Sequence, residues 1–129
     1  MLRIAEVPVP VPAADEVLVR VRATALNRAD LLQRRGLYPN PFPGAHDIPG
    51  MEFAGEVVEA AAPSAASSDV PHRRASRWKP GDHVMGIVSG GAYAEYVTIP
   101  AAQAMRTPRG MALVDAAAIP EVLDRKSVV

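Results

Sequence analysis

Glu16-Val17-Leu18-Val19-Arg20-Val21-Arg22-Ala23 sets Val17, Val19, Val21 and Ala23 on one side of the chain and Leu18, Arg20 and Arg22 on the other. A period of two with β-branched residues marks a half-buried strand. Downstream, Asn27-Arg28-Ala29-Asp30-Leu31-Leu32-Gln33-Arg34-Arg35-Gly36 has a capping residue, an acid three positions later, arginines in the last turn and a closing glycine. That is the pattern of a short capped helix. Strand character resumes over Glu52–Glu59, with Gly55 a candidate bulge. Pro80-Gly81 makes a turn in which Asp82 is the capping acid, leading into a strand. Gly90-Gly91 is expected to join that strand to Ala92–Ile99 as a hairpin. Leu113–Ile119 predicts a short helix stopped by Pro120. Short strands punctuated by glycine and proline favour a mainly β fold, a small barrel or sandwich.

The remaining segments are irregular. Glu6–Pro12 alternates valine with proline and reads as polyproline-like or edge chain. Tyr38–Gly50 carries four prolines and two glycines, which specify an ordered surface loop. Residues 60–77 are small, polar and finally basic, the composition of a flexible insertion. Arg73, Arg74, Arg77 and Lys79 form a basic run that reads as a solvated face. The tail, residues 123–129, lacks any cap or period linking it to what precedes.

At 129 residues the chain is one domain at most, and 49% hydrophobic with 22% charged residues is an ordinary globular mix. Fourteen basic residues balance fourteen acidic ones, which argues against a nucleic-acid or anionic-membrane surface. The absence of cysteine excludes disulfides, thiolate nucleophiles and Cys-ligated zinc. The first residues hold no apolar run fit for a signal or a span, so a cytoplasmic location is expected.

Five stretches together resemble one family. They are Ala25–Tyr38, Ile48–Val57, Trp78–Val84, Gly90–Val97 and Ala116–Val122. In this order they are similar to the zinc-independent NADPH:quinone oxidoreductases of the medium-chain dehydrogenase/reductase superfamily, the relatives of zeta-crystallin. The resemblance implies a GroES-like N-terminal catalytic domain over residues 1–122, a partly open barrel of short strands with one or two short helices. In that family a Rossmann domain binding NADPH normally follows. No glycine-rich turn between a strand and a helix occurs here, so no Rossmann domain is expected in this chain. The resemblance also implies an additional strand before Leu2 in family members, a turn shorter than residues 60–77, and a helix continuing past Ile119–Val122.

Zinc-dependent members of the superfamily carry metal ligands at the positions matching Asn27 and Met51. A carboxamide and a thioether are poor zinc donors, so no zinc is expected and Met51 fills space. His46, His72 and His83 are too widely spaced to replace them. By resemblance Asn27 is a catalytic and cofactor-binding residue beside the nicotinamide ribose, and Tyr38 a catalytic substrate-side donor or pocket wall. Both are uncharged donors suited to oxygen charge developing in a reduction. Asn27 equally fits a helix N-cap, and Tyr38 a loop anchor among prolines. The resemblance implies a buried acid at Glu52, and since a buried carboxylate needs a partner, an ion pair with Arg28 or Arg34 is expected.

Two readings of function follow. One is the catalytic portion of a quinone oxidoreductase, moving hydride from NADPH to a quinone or small electrophilic carbonyl, inactive alone and associating as a homo-oligomer. The other is a non-enzymatic GroES-like binding module.

Overall fold

The computed structural model describes residues 2–38, 48–65 and 77–124. Its strands are β1 (Glu16–Thr24), β2 (Glu52–Ala60), β3 (His83–Ile87), β4 (Tyr96–Pro100) and β5 (Met105–Arg106). Three short helices accompany them: α1 (Arg28–Arg34), α2 (Leu113–Ala116) and α3 (Pro120–Asp124). All pairings are antiparallel, in the order β4-β1-β2-β3-β5. The sheet is not closed into a barrel: among the described residues nothing pairs β4 with β5, which leaves open the end expected of a partly open barrel.

The alternation read in the sequence builds the core. Val17 and Val19 of β1, Phe53 and Val57 of β2, Val84 of β3, and Val97 and Ile99 of β4 pack into one buried cluster closed by Trp78. Neighbouring positions of the sheet, Ala54 and Met85, pack against Ala116 and Ala117 in a second, smaller cluster. Leu18 is buried as well, although it alternates with the first set.

The register between β1 and β2 slips twice. Leu18 faces Glu59 while Val19 faces Val57, and Val21 faces Gly55 while Ala23 faces Ala54. The extra residues are Val58 and Arg22, so the bulges flank Gly55 rather than fall on it. Glycine is required at 55 for another reason: a Cβ there would run into the Arg20 carbonyl oxygen of the adjacent strand.

Two expectations are corrected. Gly90-Gly91 does not join a hairpin, because β3 and β4 lie on opposite sides of β1 and β2. Residues 88–93 run instead alongside 48–51, with the N–H groups of Val88, Gly91, Ala92 and Tyr93 donating to Met51, Ile48, Gly50 and Pro49. Those bonds take up the backbone groups a tight turn would have used. Pro120 does not merely end a helix. It opens α3, at a first position where a missing N–H costs nothing. The Pro-rich loop of Tyr38–Gly50, the insertion at 60–77 and the tail at 123–129 lie largely outside the described residues, although α3 extends through Asp124.

Candidate functional site

α1 begins as its sequence dictates. Asn27 is extended at the N-cap, and Asp30 reaches back so that its Oδ2 accepts the Asn27 backbone N–H at 2.7 Å. The far end closes with Gly36 at φ +68°, the Gly36 N–H donating to Gln33 O and the Leu37 N–H to Leu32 O. This left-handed closure, with its paired 5→2 and 6→1 bonds, favours glycine. Gln33 ties the helix to the rest of the fold. Its Nε2 donates to Ser89 O at 2.7 Å and its Oε1 accepts the Gly50 N–H at 3.2 Å.

Asp30 and Glu52 are the two buried charged side chains among the described residues, 4% and 2% exposed. Glu52 is not paired with Arg28 or Arg34, so the expected ion pair is corrected. Its Oε1 accepts from Asn27 Nδ2 at 2.8 Å, and its Oε2 accepts the Glu121 backbone N–H at 2.9 Å. Uncharged donors replace the cation because Glu52, at the head of β2, faces the N-cap of α1 on one side and the first turn of α3 on the other. Asp30 Oδ2 also accepts the Tyr93 hydroxyl at 2.7 Å, while Asp30 Oδ1 is buried with no partner among the described residues. Burial, the bond to Asp30 and the charges of Asp30 and Glu52 hold the Tyr93 phenol well above its ordinary value.

The chain thus gathers Tyr93, Asp30, Asn27, Glu52 and the start of α3 into one hydrogen-bonded line. Asn27 sits in it half-buried, its carboxamide orientation fixed by Glu52. Tyr38 is half-buried beyond the end of α1, and no hydrogen bond joins it to Asn27, Asp30 or Glu52. Met51 is buried, as expected of a space-filling residue. Both Glu52 oxygens are taken by N–H groups, and among the described residues no group of three or more His, Cys, Asp or Glu side chains converges as metal ligands. His83 is exposed at the start of β3, while His46 and His72 lie outside the described residues. Sequence reasoning missed Tyr93, whose partner Asp30 lies 63 residues away with no local pattern to join them.

Asp82 behaves as the capping acid it was read to be. Its Oδ2 accepts the Lys79 N–H at 3.0 Å, and Arg106 closes on the same carboxylate at 3.1 Å. The Arg106 hydrogen bond, helped by the Lys79 N–H and the nearby cations, holds the Asp82 carboxyl below its ordinary value against the opposing effect of desolvation. No described helix is long and apolar enough to cross a membrane.

Comparison with known proteins agrees with this architecture. The profile of the alcohol dehydrogenase GroES-like domain matches residues 13–109. The chain is 41% identical over 110 residues to the synaptic vesicle membrane protein VAT-1 homolog of Rattus norvegicus, covering 85% of this chain and 24% of that protein. It is 34% identical over 126 residues to the chloroplastic quinone-oxidoreductase homolog of Spinacia oleracea, covering 92% of this chain and 34% of that one. Among solved structures, the quinone oxidoreductase from Thermus thermophilus, also determined in complex with NADPH, superimposes with a TM-score of 0.65 at 29% identity. That match covers 98% of this chain and 37% of the other. The chain spans about a quarter to two fifths of the length of these relatives. It belongs to the alcohol dehydrogenase GroES-like domain family, within the medium-chain dehydrogenase/reductase superfamily.

Proposed function

We propose that the chain forms the substrate-side wall of an NADPH-dependent reductase acting on a quinone or small electrophilic carbonyl, without catalytic zinc. The observation that supports this best is the Asn27 carboxamide, uncharged, half-buried and held in one orientation by a buried carboxylate. It stands in a chain similar along most of its length to proteins named quinone oxidoreductases. The donor set suits an uncharged hydroxyl and amide partner such as the nicotinamide ribose portion of NADPH. It does not suit zinc, since the Asn27 carboxamide and the Met51 thioether are poor zinc donors and each Glu52 oxygen already accepts an N–H.

NADPH, when bound, supplies the hydride. Asn27 lines the cofactor, its second Nδ2 hydrogen available to an acceptor, and Tyr38 donates to the substrate oxygen or walls the pocket. A neutral donor fixed in advance, as Asn27 is by Glu52, stabilises charge developing in the reduction without reorganising at the moment of reaction. A cytoplasmic setting and a homo-oligomeric state belong to the same reading.

The test is a chimera in which residues 13–109 replace the matching segment of the Thermus enzyme. The expected result is quinone-dependent NADPH oxidation that falls by about a hundredfold in Asn27→Ala, the lower end of what losing one fixed donor costs. A folded chimera whose turnover ignores Asn27 overturns the proposal.

A further inference from the structure

Tyr93 and Asn27 are indexed to the same atom. Asp30 Oδ2 accepts the phenol of one and the backbone N–H of the other, each at 2.7 Å. Tyr93 is itself fixed. Its N–H donates to Pro49 O, the Ala92 N–H donates to Gly50 O, and Gly50 at φ +102° leaves open the space where a Cβ would lie 2.6 Å from the Tyr93 nitrogen and collide with its ring. Gln33 bonds the middle of α1 to Ser89 and Gly50, in the paired segments that carry Tyr93. The first turn of α1 is held through Asp30 and, at its N-cap, through the Asn27 carboxamide itself. Asn27 Nδ2 reaches Glu52 Oε1 at 2.8 Å only while that turn holds its distance from the head of β2.

We propose that Tyr93 is a positioning residue for Asn27, acting through Asp30. The hydroxyl anchors Asp30, Asp30 anchors the Asn27 backbone, and the carboxamide is thereby delivered to Glu52. The consequence for turnover rests on the reading of Asn27 as a cleft residue, whereas the positioning is a property of the chain itself and is read without any assay of activity.

The experiment is nuclear magnetic resonance on the full 129-residue chain. Its two asparagines and two glutamines give few side-chain amide signals, so that of Asn27 is readily assigned. Tyr93→Phe removes the hydroxyl and keeps the ring; Tyr96→Phe on β4 serves as the control. Tyr93→Phe is expected to shift the Asn27 backbone and Nδ2 signals and to speed exchange of the Nδ2 protons several-fold. Methyl signals of Val19 and Val57 in the core stay in place, and Tyr96→Phe leaves Asn27 unchanged. Unmoved Asn27 signals in folded Tyr93→Phe overturn the proposal, even if the variant is less stable, because a purely structural tyrosine predicts that outcome. If Tyr93→Phe does not fold, Asp30→Asn is judged by the same signals. Shifted Asn27 signals with a chimera indifferent to Asn27 leave the positioning standing and remove the proposed function.

Discussion

Asn27 carries the sharpest expectations. Replacing it by alanine takes one of two donors from a buried carboxylate, and a hydrogen bond to a charged group contributes about 1.5–3 kcal/mol. A loss of that order in urea denaturation is expected for Asn27→Ala. Asn27→Asp is worse at neutral pH, because it sets a third negative charge beside Glu52 and Asp30. The introduced acid then has a folded pKa above its unfolded one, so its penalty is full well above the folded value, shrinks as pH falls through it, and is gone only well below the unfolded value of about 3.9, where the acid is protonated in both states. Equal stability of the two variants at pH 7 contradicts the assignment of Glu52 and Asp30 as its neighbours. The N-cap and its acid were legible because capping is local, three residues from end to end. The partners of Glu52 were not: Asn27 and Glu121 lie 25 and 69 residues away, and the need of a buried carboxylate for a partner suggested arginine for a role that two N–H groups fill.

Gly55→Ala forces a methyl group into the backbone of β1, which cannot give way like a side-chain tip, and a loss of about 3 kcal/mol or more is expected. Gly36→Ala meets no atom within 4 Å but keeps the left-handed conformation, and should lose only about 1–2 kcal/mol. A reversed order of the two melting temperatures contradicts the register described for β1 and β2. In the turn before β3, Asp82 has a folded pKa below its unfolded one, so its contribution is present above the unfolded value of 3.8 and fades as pH falls through the folded value. Asp82→Asn should therefore lower the melting temperature at pH 7 and differ little from the native chain near pH 2. Strands were readable one by one from their period of two. Their order was not: the glycine pair at 90–91 looks like a hairpin turn locally, and only the long-range bonds of residues 88–93 to residues 48–51 place β4 beside β1.

Taken together, the chain is an open antiparallel sheet in which the two buried acids of the described residues converge on Asn27, Asp30 at its backbone N–H and Glu52 at its carboxamide. Its mainly β character followed from alternation and punctuation, while the convergence of Tyr93 and Glu52 on the N-cap of α1 depends on tertiary distances that no local pattern encodes. The proposed reaction needs a nicotinamide held against that carboxamide, and such positioning is worth about 7–11 kcal/mol of barrier. The wall by itself should not supply it. The most direct check is titration of NADPH into the purified 129-residue chain, following nucleotide fluorescence and then quinone-dependent oxidation of the nucleotide. No saturable binding at micromolar NADPH and no turnover are expected, since the wall alone does not hold the nucleotide in place. Micromolar saturation with turnover contradicts that expectation, and makes this chain a self-sufficient reductase.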